Sequence, residues 1–70
     1  MKIQIEGCEG RKSFLKEMGI PDEMIDELTW YRNHIGSVFG VRKVGGNVYF
    51  LDKSVAKYAT VDKADAKVLG

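Results

Sequence analysis

Gly45-Gly46 separates two stretches rich in β-branched and aromatic residues, Ser37–Val44 and Val48–Leu51. A pair of glycines accepts the positive φ angles of the tight turns that match strand twist, so the two stretches are expected to return on each other as an antiparallel hairpin. A two-residue turn sets Val41 opposite Phe50 and Lys43 opposite Val48 on one face, and Arg42 opposite Tyr49 on the other. The first face, with Phe39, is the expected core side. The second presents a cation beside an aromatic ring.

The elements around this hairpin follow from local patterning. Ile3 and Ile5 alternate with polar residues in Met1–Glu6, which predicts a short strand with one buried face. Gly7–Gly10 reads as a loop. Phe14, Leu15 and Met18 fall at helical spacing over residues 11–18. Gly19 can close that helix in the left-handed conformation, with Ile20 packing back on it. Pro21 suits the first turn of a second helix, predicted to run to His34. Met24, Leu28, Tyr31 and Ile35 would form its apolar stripe, with Ile25 beside them. Asp22, Glu23, Asp26 and Glu27 crowd its start while Arg32 and His34 stand at its end, an order that complements the helix dipole. The short Gly19–Pro21 turn makes the pair a helix-turn-helix candidate. After the hairpin, Asp52 can cap a third helix over Lys53–Ala59, with Val55, Tyr58 and Ala59 inward. Residues 1–59 are therefore expected to form one domain, and 60–70 a weakly amphipathic tail prone to fraying.

A chain of 70 residues holds one domain. Such a domain buries only roughly 60% of the surface of its unfolded chain, which leaves little interior for a substrate pocket. The single cysteine, Cys8, precludes an internal disulfide, and Met1–Glu6 lacks the apolar core of a signal peptide. Both point to an intracellular protein. The longest apolar run, Val48–Leu51, is too short to cross a bilayer. Net charge is only +1, but it is unevenly spread. Residues 1–30 carry four Lys/Arg against seven Asp/Glu, a balance of −3, whereas residues 31–58 carry five against one, a balance of +4.

Catalytic and metal chemistry find little support. Gly7-Cys8-Glu9-Gly10-Arg11-Lys12-Ser13 lies between a strand and a helix, as a phosphate-binding loop would, but Arg11 interrupts the required Gly-Lys pair and the spacing is short. Cys8 and His34 are too few for a structural zinc site, and no third residue or oxyanion donor accompanies them as a nucleophile pair. The four carboxylates of the second helix read as a solvated face. No catalytic residue, metal or cofactor is assigned. The basic centre is the stronger candidate. Arg32 and His34 end the second helix, Arg42 and Lys43 precede the hairpin turn, and Asn47 follows its glycines. Glycines allow close approach to a phosphate backbone, Arg and Lys supply phosphate contacts, and Asn47 can donate to phosphate or to a base edge. An ordinary solubilising hairpin explains the same residues equally well. Trp30 either packs against the first strand or anchors a partner.

The order helix, turn, helix ending in Trp30-Tyr31-Arg32, then Val41-Arg42-Lys43-Val44-Gly45-Gly46-Asn47-Val48-Tyr49-Phe50-Leu51-Asp52-Lys53-Ser54-Val55, resembles the winged-helix family of phage excisionases and MerR-type regulators. The likeness covers roughly residues 13–59 and rests on residue types. It implies a small α+β winged helix, in the order strand-helix-helix-hairpin-helix. It also implies an architectural, non-enzymatic role in DNA recombination or transcription, beside a recombinase on duplex DNA. Carried over, Arg42, Lys43 and Asn47 are wing contacts, and Arg32, with His34 beside it, a helix contact. One departure stands out: the family's recognition helix starts with small polar and basic residues, while here it starts with Pro21-Asp22-Glu23-Met24. Those carboxylates would repel phosphates, which leaves a second reading open. In it, Asp22, Glu23, Asp26, Glu27 and Trp30 bind a host protein, as a small phage-type inhibitor or adaptor would. In either case the chain is expected to be a monomer or to self-associate weakly, without membrane contact.

Overall fold

The structure, a computed structural model, describes residues 1–52 and 59–70. Five antiparallel strands, β1 (Lys2–Ile5), β2 (Val38–Val44), β3 (Val48–Leu51), β4 (Thr60–Asp62) and β5 (Ala66–Val68), form one sheet in the order β4-β3-β2-β1-β5. Helices α1 (Glu9–Glu17) and α2 (Asp22–Leu28) and a 3-10 helix, η1 (Trp30–Asn33), are inserted between β1 and β2. A second 3-10 turn, η2 (Lys63–Asp65), joins β4 to β5.

That last connection shapes the sheet. In a flat sheet β4 and β5 would lie four strand spacings apart, roughly 19 Å. A 3-10 turn of three residues advances only about 6 Å. The sheet must therefore roll until its two edges approach. The long strand β2 makes this possible by serving two partners: its first residues pair with β1 (Ile3↔Phe39) and its later ones with β3 (Val41↔Leu51). Ile3, Ile5, Cys8, Tyr31, Tyr49, Leu51, Ala59 and Val61 fill the interior, with Trp30, Phe39, Val41 and Ala66 packed against them.

The fold is α+β but not a winged helix. The two helices and their short turn exist, and Gly19 closes α1 at φ +79° while its N–H and that of Ile20 bond back to Lys16 and Leu15. They form an insertion in a rolled sheet, though, and not the core of a helical domain. The second helix stops at Leu28 and not at His34. Thr29 leaves helical space at ψ +63°, its hydroxyl donating to the carbonyl of Ile25. The chain then re-enters as η1, which buries Tyr31 completely. The expected stripe is lost: Met24, Leu28 and Ile35 are half-exposed.

The hairpin turn falls one residue later than expected, at Gly46-Asn47, with Gly45 N–H donating to the Val48 carbonyl at 2.8 Å, and neither Gly45 nor Gly46 takes a positive φ. Its register differs. A bulge between Val41 and Lys43 pairs Val41 with Leu51 and Lys43 with Phe50. A shift of one residue turns a strand over, so Tyr49 and Leu51 enter the core, and Val48 and Phe50 do not. The expected frayed tail, residues 60–70, instead supplies β4, η2 and β5. The third helix expected over Lys53–Ala59 falls, apart from buried Ala59, outside the described residues.

One buried polar cluster ties the helices to this C-terminal segment. The Asp65 carboxylate, 3% exposed, accepts from the backbone N–H of Gly10 (2.7 Å) and Arg11 (3.0 Å) and from the Tyr31 hydroxyl (2.5 Å). It thus caps α1 from 54 residues away, where Cys8, at the helix's own N-cap, makes no side-chain bond. Gly10 is required by this approach, since a Cβ there would meet Asp65 Oδ1 at 2.8 Å. Arg11, buried on α1, donates to Asp62 (2.9 Å) and Thr60 (2.8 Å) and lies over the Tyr31 ring. Burial and the bond to Asp65 push the Tyr31 hydroxyl pKa far above the ordinary tyrosine value.

Candidate nucleic-acid interface

The hairpin places two cations over one ring and a third beside the neighbouring ring of the strand, which faces the other way. Arg42 is the extra residue of the bulge, and its Nε–H donates to the Leu51 carbonyl at 3.1 Å. Its guanidinium lies over the Phe50 ring, 5.5 Å from the centroid, and Lys43 Nζ lies 5.7 Å from the same centroid. Phe50 can approach the turn because residue 45 is glycine: a Cβ there would stand 2.9 Å from the ring. The Lys63 N–H donates to the Asn47 carbonyl at 2.9 Å, which anchors the tip to the end of β4. Lys63 Nζ then comes to rest 5.8 Å from the Tyr49 ring centroid.

Each ring orders a flexible cation and lowers the entropy lost on binding an anion. Arg42, Lys43, Gly46 and Asn47 are exposed. Among the described residues Arg42, Lys43 and Lys63 make no ion pair; Asp62, next to Lys63, is engaged by Arg11, and the Asp52 carboxylate lies over Gly40, two residues before Arg42. Arg42 and Lys43 thus form a small cationic patch on the Phe50 face that can meet phosphates, with Lys63 near the end of the tip.

Of the residues named from sequence, Arg42, Lys43 and Asn47 belong to this hairpin. Arg32 and His34 do not. Arg32 donates to the carbonyls of Asp26 and Thr29, closing the end of α2. The exposed His34 ring packs near Trp30 and Phe39, at the start of β2. Five to six residues of strand separate Phe39 from the turn, roughly 15–20 Å. Lys63 escaped the sequence reading because only the pairing of β4 with β3 (Val48↔Asp62) carries it to the tip. No local signal at Lys63 announces that.

The residues assigned to a protein partner are also divided. Trp30 is no free anchor: its Nε1–H donates to the Thr60 carbonyl at 2.8 Å, and its ring meets Tyr31 and Phe39 edge-on. Asp22 and Asp26 line a cleft between α1 and α2 with Lys12 and Lys16, where Lys12 reaches Asp26 at 4.0 Å. Glu23 and Glu27 are exposed. Helix α2 packs chiefly on α1 and η1, and Glu27 shares a groove with Thr60, the partner of Phe50 across β3 and β4.

The remaining chemistry resolves into structure. The start of α1, which a phosphate would need, is already taken by the Asp65 carboxylate. Cys8 is buried in the core while His34 is exposed. Among the described residues no three His, Cys, Asp or Glu side chains converge as metal ligands, and no helix is long and apolar enough to cross a membrane. No family model, curated protein or solved structure matches the chain.

Proposed function

We propose that this protein is a DNA-binding accessory domain that grips the phosphate backbone of a duplex with its β2–β3 hairpin. Arg42, Lys43 and Lys63 supply the phosphate contacts and Asn47 a further donor. The observation that carries this reading is the stacking of Arg42 and Lys43 on Phe50 at an exposed, glycine-rich turn, where neither cation makes an ion pair among the described residues. The mode is hairpin contact from a barrel. Insertion of α2 into a groove is dropped, because that helix opens with four carboxylates over seven residues and belongs to another fold than the winged helix. No reaction is assigned.

Three phosphate contacts predict a log–log salt slope near −2.7, so affinity should fall about forty-fold between 50 and 200 mM salt. The test is fluorescence anisotropy of a labelled random-sequence duplex pool titrated with the full chain. Arg42→Glu and Lys43→Glu should each weaken binding, and Lys63→Ala should flatten the slope by about one contact. No binding at 50 mM salt, or a slope indifferent to these residues, refutes the proposal.

A further inference from the structure

The α1–α2 insertion shows water an unusual amount of apolar side chain. Each helix buries a single residue, Arg11 in α1 and Ile25 in α2. Phe14 and Met18, one turn apart on α1, are 54% and 61% exposed, and Met24 and Leu28, one turn apart on α2, are 49% and 47% exposed. Leu15 and Leu28 line one groove, of about 400 Å³, with Trp30 at its side and Met24 one turn before Leu28. Single exposed apolar residues are ordinary, but paired ridges beside a groove mark an interaction site.

Charge selects the occupant. Glu27 lines the groove beside Leu28, and Glu23 stands next to Met24 in sequence. Neither makes an ion pair among the described residues, and α2 has no basic residue in its last turn. Arg11 also lines the groove, but its guanidinium is committed to Asp62 and Thr60. An apolar surface with unneutralised carboxylates fits a segment that is apolar on one face and cationic on its flanks. Unbranched methionines adapt to such a helix without demanding one shape. The same carboxylates disfavour nucleic acid and anionic lipid at this face.

We infer that the α1–α2 face docks a lysine- or arginine-rich amphipathic helix of a partner protein, its apolar stripe laid in the groove along Leu15 and Leu28, with Met24 one turn before Leu28, and a cation on Glu27. The groove reaches Thr60, which pairs across the sheet with Phe50 of the hairpin, so the two surfaces adjoin.

The test uses the full chain and a fluorescein-labelled peptide about five turns long, with leucines at i, i+3, i+4 spacing and lysines elsewhere. Two controls accompany it: the same residues scrambled to destroy the stripe, and a version with glutamate for lysine. Anisotropy should show the striped cationic peptide binding at least about tenfold more tightly than either control. Met24→Gln with Leu28→Gln should weaken it about fivefold or more while leaving thermal melting unchanged, since both side chains are half-exposed. Amide shifts should cluster in residues 14–28. Arg42→Glu should leave peptide binding intact, which separates this result from the fate of the DNA proposal. Equal affinity for the scrambled peptide, indifference to the double variant, or shifts centred on the hairpin would overturn the inference. So would sedimentation showing a dimer that Met24→Gln dissolves, because the face would then be taken by a second copy.

Discussion

Replacing Asp65 with alanine should bring the whole domain to the edge of unfolding, although the residue lies five positions from the C-terminus of the described chain. The change strips three donors of one acceptor: the N–H groups of Gly10 and Arg11 and the Tyr31 hydroxyl. Loss of a helix cap costs about 1 kcal/mol. Each bond to an ionised acceptor contributes roughly 1.5–3 kcal/mol, and two of the three donors left behind, the Arg11 N–H and the Tyr31 hydroxyl, are buried. Because the three bonds share one carboxylate they do not add fully, and the expected loss is about 3–5 kcal/mol. A domain of this length has roughly 4–10 kcal/mol in all. Urea titration followed by Trp30 fluorescence and far-UV circular dichroism measures the loss. With a slope near 1 kcal/mol per molar urea, the midpoint should fall by about 3 M or leave no folded baseline at all. Asp65→Asn, which keeps one acceptor oxygen, should lose about half as much. An Asp65→Ala midpoint within about 1 kcal/mol of the parent would show that the cap does not hold the helices to the barrel.

Two further outcomes follow from the same geometry. The Tyr31 hydroxyl keeps its proton in the folded state well above the pH near 10 at which an unfolded chain releases it, so stability should be unaffected by this group below that pH and fall as pH rises beyond it. Chemical denaturation between about pH 9 and 12 should show that fall, and Tyr31→Phe should flatten it. Gly45→Ala should cost about 1–2 kcal/mol through the clash with Phe50, and because the ring must shift beneath Arg42 and Lys43 it should also weaken duplex binding in the anisotropy assay.

Those features that depend on neighbours in the chain were legible in the sequence. The alternation of Ile3 and Ile5 marks β1, and both are buried. Gly19 ends α1, and the glycines after Val44 mark the hairpin's reversal to within one residue. Arg42, Lys43 and Asn47 could be grouped because a turn brings them together whatever the register. The bulge at Arg42 could not be read, since its cause is the fit of Tyr49 and Leu51 into a core assembled from distant segments. Nor could the break at Thr29: helical periodicity continues through Tyr31 and Ile35, and only the demand for Tyr31 inside the barrel overrides it. Arg32 and His34 were placed on a recognition helix for that reason.

The deeper misreading concerns the last eleven residues. Up to Leu51 the order strand, helix, helix, hairpin is compatible with a winged helix as well as with the observed sheet. What separates the two is which surfaces are covered next. Strand β4 adds to the hairpin through Tyr49↔Val61, and β5 adds to the far side of β1 through Ile5↔Ala66. The three-residue turn between them forces those two edges together. With the sheet rolled, its interior takes Tyr31, Tyr49 and Leu51, and α1 and α2 are left to cover only one flank, held there by Asp62 and Asp65. Strands of three residues with Asp62 and Lys67 among them carry almost no local signal. Yet they decide that the helices do not form the core, and therefore that half of each helix's apolar surface is left for something else to bind.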